Sequence, residues 1–228
     1  MVDLREIVLD TETTGLRVKH GHRIIEIGCV ELINKIKTGK TFHTYLNPQR
    51  KVDPTAYEVH GISDEFIADK PTFSKVAEQF MEFIGNSNLI IHNAIFDMQF
   101  INQELILSGR YTLPMHRAID TLLMARKKFP GSQASLDALC RRFNISLHTR
   151  EKHGALVDAE LLALVYIEMS SGSQGQIRLD TSTSINRRVI NLRNYPYRIF
   201  EASADELKRH AYIMKLIKEP IWMKSNSA

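Results

Sequence analysis

The sequence predicts an α/β domain built on a mixed five-stranded sheet, and two patterns carry the prediction. Three strand-like runs come first, the last two close enough together to form a hairpin. After them, short apolar runs alternate with segments whose apolar residues recur at helical spacing. Strands joined by turns pair antiparallel and strands joined through helices pair parallel, so both kinds of ladder belong in one sheet.

In chain order the first strand-like runs are Glu6 to Leu9, Arg23 to Ile33 and Lys40 to Leu46, with the hairpin turn expected at Thr38-Gly39 in "NKIKTGK". A helix is expected from Phe73 to Ile84, where Phe73, Val76, Phe80, Phe83 and Ile84 share a side. Leu89 to Ile91 reads as a short buried strand, Ala94 to Ser108 as a longer helix and Ala118 to Thr121 as the last strand. Ser135 can cap a helix through Phe143, and Gly154 to Met169 is strongly helical.

The alternation stops at "SSGSQGQ", residues 170–176, whose small polar residues and glycines read as a flexible linker. The expected division is therefore a folded body at 1–170, a linker at 171–185 and a carboxyl-terminal segment at 186–228. Within that segment, extended pieces at Arg187 to Leu192 and Tyr197 to Phe200 precede "SADE", residues 203–206. That run has capping-box spacing and opens a helix expected to reach about Lys218 and to stop before Pro220. Leu207, Ala211, Met214 and Ile217 form one apolar stripe on it, and the single tryptophan, Trp222, follows. A lone amphipathic helix either seeks a partner surface, with Trp222 as an anchor, or folds back on its own body.

Composition narrows the function. A chain of 228 residues with 43% hydrophobic and 25% charged residues is not disordered as a whole. Residues 1–169 carry 20 Lys and Arg against 21 Asp and Glu, whereas 170–228 carry 10 against 5, so the basicity lies in the tail. No apolar run approaches a membrane span, and acids interrupt the amino-terminal "MVDLREIVLDTE" where an export signal needs an apolar stretch. Cys29 and Cys140 lie in apolar segments without metal-ligand spacing and read as buried free thiols. Together these features point to a soluble cytoplasmic protein with no membrane partner.

The chemistry begins at "LDTETTG", residues 9–15. Residues i and i+2 of a strand share a face, so Asp10 and Glu12 project together. Two unit charges roughly 4 Å apart repel by about 4 kcal/mol at an effective dielectric near 20, so a positive charge is expected between them. Taken alone, the pair also fits a solvated strand end. Two further motifs change the balance. "IIHNAIFD" places Asp97 in the first turn of a helix that follows a strand, and "HGALVD" places Asp158 in a helix five residues after His153. On an ideal helix His153 would lie about 140° from Asp158, so the histidine is expected in the preceding loop. Asp10, Glu12, Asp97 and Asp158 supply hard oxygen donors from three elements, a set suited to magnesium or manganese. Two such ions can clamp an in-line attack on a phosphodiester, with His153 as general base.

This order of residues, D-x-E, a later Asp and H-x4-D, resembles the DEDDh family of 3′–5′ exonucleases on the ribonuclease-H-like fold. Within it, "IVLDTETTGL", "HRIIEIGCVEL", "VDPTAYEVHGISDEF", "DKPTF", "IIHNAIFDMQF", "ARKKFPG", "SLDALC" and "HGALVDAELLALVY" are similar to the proofreading epsilon subunits of bacterial DNA polymerase III. The resemblance implies a proofreading enzyme that releases nucleoside 5′-monophosphates from DNA 3′ ends. It implies metal-ligand roles for Asp10, Glu12 and Asp158, one through water for Asp97, and the base for His153. His60 matches a position that contacts the terminal nucleotide. Thr55 stands where relatives often carry Glu. The amides near Thr11 and Thr13 match sugar and phosphate contacts, Leu16 matches a wedge against the last base, and His92, Asn93 and Phe96 match the cleft lining. For His92 a satisfied core role is the alternative.

The tail, "RIFEASADELKRH" with Leu207, Met214 and Trp222, is similar to the segment that binds the polymerase alpha subunit. Gln174, Ile177 and Leu179 in "QGQIRL" stand where relatives carry a sliding-clamp motif, with plain linker as the alternative. A theta-like subunit leaves no short motif. Two alternatives stay open for the whole chain: a DEDDh enzyme acting on RNA or short oligonucleotides, and a structural adaptor between polymerase and clamp.

Overall fold

The computed structural model describes residues 3–146, 153–171 and 202–216. The expected linker, with Gln174, Ile177 and Leu179, and the expected anchor Trp222 lie outside the described residues. The chain divides into two units, Met1–Ile177 and Arg178–Ala228.

The first unit holds a five-stranded sheet of β1 (Arg5–Thr13), β2 (Ile24–Ile33), β3 (Ile36–Tyr45), β4 (Asn88–Ile91) and β5 (Ala118–Asp120) in the order β3-β2-β1-β4-β5. β1, β2 and β3 pair antiparallel, whereas β4 joins β1 and β5 joins β4 in parallel. The mixed sheet is as the alternation predicts. Two boundaries differ. The hairpin turns at Asn34-Lys35, with φ of 53° and 66°, instead of at Thr38-Gly39. A two-residue turn of type I′ needs both central residues left-handed, and Asn tolerates that conformation. Lys35 is pinned there by its bond to Glu6, at 2.7 Å. Thr38-Gly39 instead lies in β3, where the ladder slips between Val30 and Leu32 and Gly39, at φ 84°, absorbs the bulge. β1 also continues past Leu9 to Thr13, since the ladder with β2 persists where the apolar run has ended.

The helices are α1 (Pro54–His60), α2 (Asp64–Ile67), α3 (Phe73–Ile84), α4 (Ala94–Leu107), α5 (Thr121–Lys128), α6 (Leu136–Arg142) and α7 (Ala155–Ser171). α1, α2 and α5 do not stand out in the sequence, because four to eight residues are too few to establish a helical period. One sheet face, including Ile7 and Leu9, packs with Phe80 and Ile84 of α3 and Met98 and Ile101 of α4. The other, including Val8, Val30 and Ile90, packs with Ala159, Leu162 and Tyr166 of α7. The far side of α7 buries Leu161, Val165 and Met169 against Leu139 and Cys140 of α6. Each fully buried aliphatic contributes roughly 1.5–3 kcal/mol, which fixes the sheet between two helical layers.

In the second unit, α8 (Ala204–Leu216) starts with the expected capping box: the Ser203 amide donates to Glu206 Oε2 at 2.8 Å and the Glu206 amide to Ser203 Oγ at 3.3 Å. Leu207 on this helix is exposed and Met214 is half-exposed. No described helix is long and apolar enough to cross a membrane.

Candidate active site

The strand's alternation brings the acids together. Val8 faces α7, so Asp10 and Glu12 continue the same row toward that helix, where Asp158 occupies the first turn. Gly28 lies opposite Asp10 in the ladder, and a Cβ there would stand 2.3 Å from Ala155 C and Leu156 N. The missing side chain lets the start of α7 rest on the sheet. Thr11 points the other way, toward α4, and its hydroxyl donates to Asp97 Oδ1 at 2.7 Å. His153 precedes α7, as expected of a loop residue, and folds over it so that Nδ1 lies 3.0 Å from Asp158 Oδ2. Ligand atoms of Glu12, His153 and Asp158 lie within 4.8 Å of one another.

Electrostatics mark the cluster. Asp10 is half-buried and lines a cavity; desolvation, then Asp97, Glu12, Asp158 and Glu26, push its carboxyl well above the ordinary range. Burial pushes Asp97 up to about 7, against the downward pull of Thr11 and backbone amides, with Asp120 adding to the rise. Among the described residues no Lys or Arg forms an ion pair with Asp10 or Asp97. Crowded carboxylate oxygens beside one imidazole fit a divalent cation, since a cation relieves the repulsion that raises Asp10.

Two concavities meet these residues. A groove of about 250 Å³ gathers Thr11, Glu12, Thr13, Leu16, Thr55, His60 and Phe96, whereas Asp10 and Asp158, also expected to contact the substrate, line the other concavity. Leu16 stands at 81% exposure, and buried His60 accepts the Ile62 amide on Nδ1 at 3.0 Å. A second cavity, of about 630 Å³, is lined by Asp10, His153 and Asp158 together with His92 and Asn93. His92 is half-buried, its Nδ1 lies 2.9 Å from Thr121 Oγ1, and its ring lines the cavity.

Three supporting residues carry no signal in the sequence. Glu26, on β2, accepts the Ala155 amide at 3.1 Å and contacts His43 Nε2 at 2.7 Å, which seats α7. Asp120 accepts amides at the start of α4 (Ala94, 3.1 Å) and of α5 (Leu122, 2.8 Å), and so places Asp97. His22 joins the two walls of the smaller groove. Thr14 Oγ1 accepts the Arg23 amide at 3.1 Å and lies 3.1 Å from His22 Nδ1, while Nε2 lies 3.4 Å from Asp53 at the start of α1. Burial, then Arg50, lowers the pKa of His22, which suits a neutral ring that accepts from Thr14 and donates to Asp53. Gly15 makes room for it, since a Cβ would lie 2.4 Å from the ring. Only long-range contacts single these three out, and a local motif does not register them.

A family model described as an exonuclease matches residues 7–166. The chain is 47% identical over 225 residues to the DNA polymerase III subunit epsilon of Rickettsia felis, covering 95% of this chain and 98% of that protein. The chain belongs to the exonuclease family, among the epsilon subunits. The corresponding Escherichia coli K12 subunit is 42% identical over 229 residues, covering 94% of each. Among solved structures, exonuclease X in complex with 5′ overhanging duplex DNA has a TM-score of 0.60 at 26% identity, covering 73% of this chain and 92% of the other. The nuclease domain of 3′hExo, a DEDDh family member bound to rAMP, has a TM-score of 0.63 at 20% identity, covering 74% and 92%, and shows the shared fold. The fold is thus the ribonuclease-H-like exonuclease fold. As an epsilon-type exonuclease the chain is a 3′–5′ nuclease, and its family uses divalent metal.

Proposed function

We propose that the chain proofreads DNA as the epsilon subunit of a DNA polymerase III core, removing single nucleotides from 3′ ends as 5′-monophosphates. One observation carries this reading: Glu12, which lines the smaller groove, lies within 4.8 Å of His153 and Asp158, which line the larger cavity with Asp10, so a phosphodiester can sit at these acids with its terminal nucleotide in the smaller groove. Asp10, Glu12 and Asp158 would hold two magnesium or manganese ions, and Asp97 would act on one through water. Bound there, the ions would make the attacking water more acidic and neutralise the leaving oxygen. His153 takes the water's proton on the ring nitrogen remote from Asp158, whose bond to Nδ1 orients the ring. Thr11, Thr13, Leu16, Thr55 and His60 bracket the terminal nucleotide. Frayed ends are preferred because a paired terminus must first melt, at a cost of a few kcal/mol that is least for a mismatch.

The carboxyl-terminal segment, including Leu207, Met214 and Trp222, binds the polymerase alpha subunit, and residues 174–179 are proposed to touch the sliding clamp. Tethering supplies local concentration that a nearly neutral body does not. The test is hydrolysis of a 3′-mismatched primer-template beside its matched twin, in magnesium, by wild type and by His153→Ala. The mismatched end should be lost faster, and the variant should be slower by roughly 10²- to 10⁴-fold. Cleavage of neither end by wild type would overturn the reading; faster cleavage of RNA ends would move the substrate to RNA.

A further inference from the structure

The epsilon-type reading assigns the terminal nucleotide to the smaller groove and the scissile phosphate to the acids. It leaves open where the rest of the strand runs. A chain that enters the acid cluster with its last nucleotide in one concavity must extend away through another opening. The 630 Å³ cavity begins at Asp10 and His153, shares no lining residue with the groove around Leu16, and also takes in Arg126 and Gln133. Gln133 is shared with a further hollow of about 420 Å³, lined by Ala138, Arg141 and Arg142. Gln133 lines both, so the two adjoin there as a furrow with the carboxylates in the first hollow and the Arg141 and Arg142 guanidinium groups in the second.

The segment that supplies its arginines, Arg126, Arg141 and Arg142, is basic in a way the body as a whole is not. Residues 121–146 hold five basic residues, Arg126, Lys127, Lys128, Arg141 and Arg142, against the single acid Asp137, whereas residues 1–169 as a whole have 20 basic and 21 acidic residues. These cations fall in the last turns of α5 and α6. Arg142 is also preorganised: its guanidinium carbon stacks 4.4 Å from the centroid of Phe129. Arginine forks match phosphate oxygens, and a furrow of this kind grips a backbone without reading bases.

We propose that this furrow, from Arg126 past Gln133 to Arg141 and Arg142, binds the backbone phosphates of the single strand upstream of the scissile bond. The proposal rests on the exonuclease reading above. It makes the cations compensate the repulsion that the acid cluster imposes on an approaching polyanion, and it makes affinity depend on strand length.

The test compares a thymidine dinucleotide with a thymidine dodecamer as substrates for the full-length protein in magnesium. The proteins are wild type, the double variant Arg141→Gln with Arg142→Gln, and Arg141→Glu alone, which leaves the Arg142 stack on Phe129 intact. For both variants KM for the dodecamer should rise several-fold while turnover of the dinucleotide stays at the wild-type level. The slope of log affinity against log salt should become shallower by roughly 0.7 for each backbone phosphate that an arginine no longer neutralises. An unchanged dodecamer KM in Arg141→Glu, or equal losses on both substrates, would overturn the track. Unchanged kinetics with weakened polymerase binding would overturn it too, by giving the patch to an acidic protein surface. Wild type inert on both substrates would instead sink the exonuclease reading itself.

Discussion

Glu6 and Asp10 lie on the same face of the same strand, under the same helix, and their surroundings are opposite. Lys35 donates to both oxygens of Glu6, at 2.7 Å each, and the Tyr166 hydroxyl donates at 2.7 Å. The other buried acids of the frame are treated alike: Glu31 meets Arg5 and Glu104 meets Arg23, both at 2.6 Å. Asp10, four residues further along, faces carboxylates from β1, β2, α4 and α7. Among the described residues a Lys or Arg thus compensates each of these frame acids, and none forms an ion pair with Asp10, which is proposed to hold metal. The cluster's repulsion is a local cost that the rest of the fold carries, as expected of a functional site.

The largest effect should come from Asp10. Asp10→Asn should abolish hydrolysis, with a loss at least as large as the roughly 10²- to 10⁴-fold expected of His153→Ala. In chelator its melting temperature should be equal to or above that of wild type, because the substitution removes a repelling charge. Wild type should gain about 2.7 kcal/mol of stability at a metal concentration near 100 times Kd, and the variant should lose most of that gain. Calorimetry with and without manganese checks both, and a wild-type melt indifferent to metal would break the comparison.

Glu6→Gln should act in the reverse sense. It leaves Lys35 short of its counter-charge and should cost roughly 1–3 kcal/mol, moderated because the Lys35 side chain keeps 31% exposure. Hydrolysis well below the melting temperature should be close to normal. A variant that melts like wild type but has lost activity would show that the two ends of β1 are not divided in this way.

The smallest effect concerns the wall of the smaller groove, proposed to hold the terminal nucleotide. His22→Ala removes the tie between Thr14 and Asp53 and should raise KM several-fold for a dinucleotide with little change in kcat. His22→Gln, which can still donate toward Asp53, should recover part of the loss. An equal fall in kcat would mean that His22 acts through the acid cluster instead of through the groove.

Legibility in the sequence follows the range of the interaction. The parity of β1 places Asp10 and Glu12 on one face without any structure, and the helical runs at 73–84, 94–108 and 154–169 come through because each is long enough to show its period. The hairpin turn is misread because Gly39 is a strong local signal whose true role is a bulge, while Asn34-Lys35 is held by an ion pair to a residue 29 positions away. Glu26, Asp120 and His22 escape notice because a lone Glu, Asp or His carries no pattern, and each acts by bonding to another element.

By itself the sequence determined the order of the strands and of the longer helices, the parity that sets Asp10 and Glu12 on one face, and the family the chain resembles. These depend on periodicity and on residue chemistry, which are local. Only the tertiary structure decided that Gly28 lets α7 settle onto the sheet, that Thr11 ties Asp97 to β1, and that Glu12 lines one concavity while Asp10 and Asp158 line another. Those outcomes depend on which side chains meet after packing, and the spacing of residues along a chain does not specify that.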